Sequence, residues 1–180
     1  KDMGFTAIYV NPIMSASSNH RYDARNYEML DPFLGDMKAF DTLVEEMNKR
    51  GMRLIMDGVF NHVGDDSIYF DRYGKYDNVG AYEYWSRVYD LMNEKKMSQK
   101  DAEKEARKQL VAEGQKFSKF NFENWFEISN RKISDEYGEH YAYRDWAGYS
   151  SLCPFKDVVG GKNSPVPNIG DQLNNKDLAN

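Results

Sequence analysis

The sequence is poor in several features that would assign it quickly. It holds one cysteine, Cys153, among 180 residues, which rules out an internal disulfide and leaves the redox compartment open. No activating context surrounds that thiol, so Cys-His nucleophilic catalysis finds no support. There is no excess of basic charge: the formal net charge is −5 and the pI about 5.3, which argues against nucleic acid as a partner and suits a neutral substrate. No stretch is long and apolar enough to span a membrane. Internal repeats and low-complexity tracts are absent. Asp65, Asp66 and Asp71 lack the spaced ligand loop of a calcium-binding hand and read as a solvated acidic loop.

What is present concentrates in Arg53 to His62, which reads Arg-Leu-Ile-Met-Asp-Gly-Val-Phe-Asn-His. A short apolar run (Leu54, Ile55, Met56) ends in an acid, and an Asn-His pair follows. This is the pattern of a buried parallel strand with functional side chains at its C-terminal end. Thr6 to Val10 is a second such run, followed by Asn11-Pro12 and Asn19-His20-Arg21-Tyr22-Asp23. Between them, Asp36 can cap a helix whose apolar positions Phe40, Leu43, Val44 and Met47 recur at helical spacing before Gly51 stops it. Strand, helix, strand predicts a parallel crossover unit. Beyond His62 the rhythm breaks. The spacing predicts one helix over Ala81 to Met97 and a second after Ser98, where Asp101 completes a capping-box-like start and Gly114 ends the run. Its lysines and glutamates read as a solvated face. Lys162 to Pro167 reads as loop.

At this point the chain resembles a known family. Asp57-Gly58-Val59-Phe60-Asn61-His62 is similar to the first signature region of the α-amylase superfamily, glycoside hydrolase family 13. Ile8 to Ile13 and His20-Arg21-Tyr22-Asp23 are similar to that family's second barrel strand and the loop after it. Asn61 to Ser67 most resembles the neopullulanase, cyclomaltodextrinase and amylopullulanase branch. The likeness is dense from Lys1 to about Tyr76 and returns at Tyr143 to Tyr149 and Ser151-Leu152. Cys153 departs from it, standing between Leu152 and Pro154 where the family has Leu-Pro directly. The resemblance implies an α/β fold: strands two and three of a (β/α)8 TIM barrel with an inserted domain-B-like lobe. The expected division is 1–62 partial barrel, 63–171 lobe and 172–180 lead-in to the next barrel unit. A closed barrel typically takes about 250 residues. The opening Lys1-Asp2-Met3-Gly4 reads as the tail of a helix, so the chain is expected to be a piece of a longer enzyme, its compartment open.

The resemblance further implies a retaining glycoside hydrolase acting on α-glucans such as starch, pullulan or maltooligosaccharides. Such chemistry needs two carboxyl groups and a grip on the sugar being distorted. Tyr22 is the expected sugar platform, against the commoner fate of a tyrosine as loop core. His62 is expected to bind a sugar hydroxyl, with a buried structural histidine as the bland alternative. Asp23 either accepts from sugar hydroxyls or orients its loop. Asp57 is expected behind the contact layer, since a carboxylate at a strand end must be paired; the family pairs it with an arginine on a later strand. Asn61 stands where many α-amylases place a calcium ligand, a hard amide oxygen, although this branch often leaves that site unused; calcium is optional and no cofactor is required. The catalytic nucleophile and acid/base belong to strands four and five, so no catalytic residue is expected in this chain. His20 and Asn19 line the same mouth or shape the turn, and His140 reads as a surface histidine. Trp125, Phe126, Tyr141, Tyr143, Trp146 and Tyr149 make the lobe aromatic, mostly as core. Rival readings are a non-catalytic amylase-like binding or accessory domain, and a transglycosylase or isomerase of the same superfamily.

Overall fold

The computed structural model describes residues 1–135 and 138–156; the expected loop over Lys162 to Pro167 and the 172–180 lead-in lie outside them. The two apolar runs form β1 (Ala7–Val10) and β4 (Arg53–Met56), paired in parallel with Ala7 opposite Arg53 and Val10 opposite Met56. Helix α1 (Met37–Lys49) connects toward β4. Its cap is the expected one: the Asp36 carboxylate accepts from the Ala39 N–H at 2.8 Å. Gly51, at φ +61°, turns the chain out of the helix.

The strands are parallel but not buried, against the expectation from their composition. Tyr9 and Ile55 are 59% and 49% exposed, and α1 buries only Met47. The reason is architectural. A two-stranded sheet with one helix on one side leaves a face and both edges bare, and no other described strand pairs with β1 or β4. The fold is a mixture of helix and strand, with no closed barrel among the described residues.

An antiparallel pair, β2 (Met14–Ala16) with β3 (Ala24–Leu30), sits between β1 and α1. After β4 comes β5 (His62–Gly64), then α2 (Ala81–Lys95) and α3 (Gln99–Ala112). Lys96, left-handed at φ 55°, ends α2, and the Ser98 hydroxyl caps α3 by accepting from the Asp101 N–H. The two helices pack through Val88 and Leu91 against Ala102, Ala106 and Leu110, which fall one per turn on a single face. A hairpin of β6 (Ile128–Asp135) and β7 (Gly138–Tyr143) follows, and β8 (Leu152–Pro154) closes the described chain.

The main core is aromatic. Phe70 packs edge-on against Phe126 at 5.1 Å and against Tyr143 at 4.9 Å, and Tyr69 stacks on Trp125 at 5.6 Å. Strand β8 returns beside β5, with Val63 opposite Cys153. The extra residue between Leu152 and Pro154 thus fills a buried sheet position, and burial pushes its thiol well above the ordinary range.

Three acids expected on a solvated loop are buried instead. Asp66 accepts from the Arg25 guanidinium (Nε at 2.7 Å, Nη2 at 2.5 Å). Asp65 accepts from the Tyr73 hydroxyl at 2.8 Å. Asp71, fully buried, accepts from the Lys75 and Tyr76 N–H groups at 2.9 and 3.3 Å. These carboxylates hold the 65–76 segment together because each has found donors, the condition for burying charge. His140 is likewise not a surface residue. Its side chain is only 8% exposed, and Nε2 lies 2.8 Å from the Asp135 carboxylate.

Candidate functional site

The ends of β1 and β4 lie side by side because the parallel ladder continues past them, the Asp57 N–H donating to the Val10 carbonyl at 3.1 Å. Asp57 is then positioned to receive two phenols. The Tyr9 and Tyr22 hydroxyls both donate to Asp57 Oδ2, at 2.8 and 2.9 Å. The carboxylate raises the pKa of each tyrosine by stabilising its protonated form. Tyr22 is thereby held by its hydroxyl while 37% of the residue stays open to solvent. Asp57, half-buried, is paired by two tyrosines among the described residues.

Tyr22 is fixed from the other side by the loop before it. Arg21 is left-handed (φ 63°), and its guanidinium Nε donates to Asp31 at 2.8 Å. Asp23 is buried and organises the turn. It accepts from the Ser17 and Ser18 N–H groups at 3.2 and 3.0 Å and from both serine hydroxyls. Burial opposes its charge, but the two serine hydroxyls, with the Asp23 and Ser18 N–H groups, outweigh it and hold the carboxyl below its ordinary range. Asp23 therefore has the geometry of the loop-orienting alternative. The Tyr22 N–H donates to His20 Nδ1 at 3.2 Å, so His20 shapes the same turn. It also borders a cavity of about 360 Å³, together with Ser17, Asp23, Tyr149 and Ser151. Asn19 contributes its carbonyl, which accepts from Arg21 Nη1 at 2.7 Å.

His62 opens β5 and is 5% exposed. Burial lowers its pKa, partly offset by the Tyr22 backbone and the Asp23 carboxylate, which favours a neutral imidazole. Its ring stacks on Trp146, centroids 5.3 Å apart and planes 24° from parallel. Neither ring nitrogen has a hydrogen-bond partner among the described residues. The backbone around it is pinned by Tyr27, whose hydroxyl lies 2.5 Å from the Val59 carbonyl and 2.9 Å from the His62 carbonyl. Gly64 allows β5 to approach the Tyr22–Asp23 loop. A Cβ there would meet the Asp23 carbonyl oxygen and Asp66 Oδ1 at 3.0 Å each.

Asn61 lies at the same exit, its backbone carbonyl accepting from the Phe155 N–H at 3.1 Å. The described residues contain no group of three or more His, Cys, Asp or Glu side chains that could hold a metal ion. Asp57 is already occupied by two phenols.

Tyr22, Asp23, Asp57 and His62 are thus brought to one region. Tyr9, Gly64 and Trp146 belong with them, lying inside the motif blocks without a part in the site being read from them, and Tyr27 joins from outside those blocks. Tyr9 could have been found by strand periodicity, since it lies next to the last β1 residue; the others depend on contacts between distant segments.

Residues 1–159 match the family model described as "Alpha amylase, catalytic domain". The chain belongs to the α-amylase family. An amylopullulanase of Thermoanaerobacterium thermosulfurigenes is 35% identical over 162 residues, covering 90% of this chain and 7% of that relative. The intracellular maltogenic amylase of Bacillus subtilis (strain 168) is 40% identical over 91 residues, covering 51% of this chain and 16% of that protein. Among solved structures, a debranching enzyme from Nostoc punctiforme superposes with a TM-score of 0.53 at 25% identity, covering 86% of this chain and 24% of the other. This α-amylase-family chain therefore spans a small part of the length of the curated relatives it matches, and it carries part of a (β/α)8 barrel.

Proposed function

We propose that this chain supplies the sugar-gripping part of a retaining glycoside hydrolase that acts on α-glucans. In this reading β1 and β4 are barrel strands two and three, and 63–171 is the lobe inserted after the third. The observation that carries it is the arrangement at the two strand exits. A partly exposed tyrosine is clamped through its hydroxyl by Asp57, beside a buried imidazole with both nitrogens uncommitted.

Each part suits a sugar at the point of cleavage. The Tyr22 ring offers an apolar face to a pyranose, and the Asp57 hydrogen bond fixes its tilt. A neutral imidazole has one donor and one acceptor nitrogen, and His62 directs them to sugar hydroxyls rather than to proton transfer. Asp57 accepts two phenols on Oδ2 and Asp23 accepts from two serines, which gives both a supporting part rather than that of acid or nucleophile. That pair of carboxyls belongs to other strands of the complete barrel, and the hydroxyl contacts made here strengthen as the ring flattens toward the oxocarbenium-like transition state. Relatives named amylopullulanase and maltogenic amylase support the substrate class.

The test is to incubate the complete enzyme with soluble starch, pullulan and a chromogenic α-glucoside, following the first-formed anomer by proton NMR. The α-anomer first is the expected result. The β-anomer first would contradict retention, and tight glucan binding without turnover would favour an accessory binding domain.

A further inference from the structure

His62 presents a physical problem that its own segment does not solve. Neither nitrogen of the buried imidazole makes a well-formed hydrogen bond; the Tyr22 backbone and the Asp23 carboxylate act on the ring, but a buried polar group so loosely paired is costly. Packing adds a firmer constraint. Trp146 stacks on one ring face, and 40% of Trp146 remains exposed.

The chain around Trp146 is built to hold it there. Trp146 and Tyr149 bridge across a tight turn whose central residues, Ala147 and Gly148, are both left-handed (φ 55° and 84°). That is the geometry of a two-residue hairpin turn, and Ala147 accepts a conformation unusual for a residue with a Cβ. The Trp146 N–H donates to the Leu152 carbonyl at 2.9 Å. Leu152 is the β8 residue opposite Gly64, and His62 faces Pro154 in the same ladder. One backbone frame therefore sets both members of the stack.

We propose that Trp146 is a positioning residue: it holds the His62 imidazole in the orientation that presents a ring nitrogen to a sugar hydroxyl, and it keeps water from that nitrogen before substrate arrives. This rests on His62 being a glucan contact. It differs from a role for Trp146 as a sugar platform, because its effect is transmitted through His62 and should vanish without it.

The experiment is a double-mutant cycle in the complete enzyme, with kcat and KM measured on a maltooligosaccharide and a thermal melt on each variant. Misplacing a binding group by about an ångström can cost on the order of a hundredfold. Trp146→Leu is therefore expected to lower kcat/KM by about ten- to a hundredfold, mainly through kcat, and Trp146→Phe to recover most of the loss. Added to His62→Ala, Trp146→Leu should cost nothing further, the signature of two residues acting as one unit. Losses that multiply would overturn the proposal, as would Trp146→Leu at wild-type rates. If Trp146→Leu does not fold, the same cycle run with Trp146→Met, which fills the space without an aromatic face, decides by the same criterion. Near-wild-type turnover by His62→Ala would instead overturn the underlying assignment of His62 and leave Trp146 nothing to position.

Discussion

Removing the Tyr27 hydroxyl, by Tyr27→Phe, probes how the site is attached to the fold. The ring stays where it is, stacked on Tyr69 at 5.6 Å and tilted on Phe60 at 5.9 Å, so packing is nearly conserved. What is lost is one O–H shared between the Val59 and His62 carbonyls. His62 and Val59 are both buried, so water cannot readily replace that donor, and an unsatisfied buried acceptor costs about 1–3 kcal/mol. For a unit of this size each kcal/mol moves Tm by roughly 2–4 °C. The assay is urea unfolding with thermal melts, paired with kcat/KM of the complete enzyme on a maltooligosaccharide. A loss in that range is expected, together with a several-fold fall in kcat/KM because the segment carrying His62 loosens. A variant as stable and active as the wild type would refute the claim that Tyr27 ties the segment down.

Three further outcomes follow from the geometry. Glu83 at the start of α2 is pushed up to about 7 by burial, with Asp71 and Glu113 adding repulsion and Arg87 and the Gly80 N–H opposing it. The folded protein then holds a proton that the unfolded chain, at the ordinary value of 4.5, releases; stability falls as pH rises through that window, and Glu83→Gln should flatten this part of a Tm-versus-pH curve and be the more stable form at pH about 8. Leu110→Ala, which empties a fully buried position between α2 and α3, should cost about 2–5 kcal/mol in denaturant unfolding, whereas Lys104→Ala on the exposed face of α3 should be silent. The 180-residue chain assayed by itself on starch, pullulan and a chromogenic α-glucoside should show no turnover; activity lost on mutating one of its own acids would move the active site into this chain.

Legibility in the sequence followed the range of the interaction. Helices α1, α2 and α3 are marked locally by Asp36, Gly51, Ser98 and Asp101 and by apolar residues at helical spacing, so their positions are readable within a turn. The β1–β4 pairing is readable because apolar runs of that length favour parallel strands. The hairpin β2–β3 is not, since β2 has three residues and its register shifts twice, which erases any alternation. The burial of Asp65, Asp66 and Asp71 is hidden for a related reason. An acid-rich loop looks solvated until Arg25 arrives from β3 to pair with Asp66. In the site, Tyr22, Asp57 and His62 stand in a recognisable motif. Tyr27 pinning Val59 and Trp146 covering His62 are contacts between distant segments, which no local pattern encodes.

The central claim is that Tyr22 and His62 grip the sugar at the bond being broken. It is tested most directly by kcat/KM of Tyr22→Ala and His62→Ala in the complete enzyme on a maltooligosaccharide, with a melt to verify folding. A loss of about 2–4 kcal/mol in transition-state stabilisation is expected for each variant, with the melt little changed. Near-wild-type turnover by either variant would contradict it.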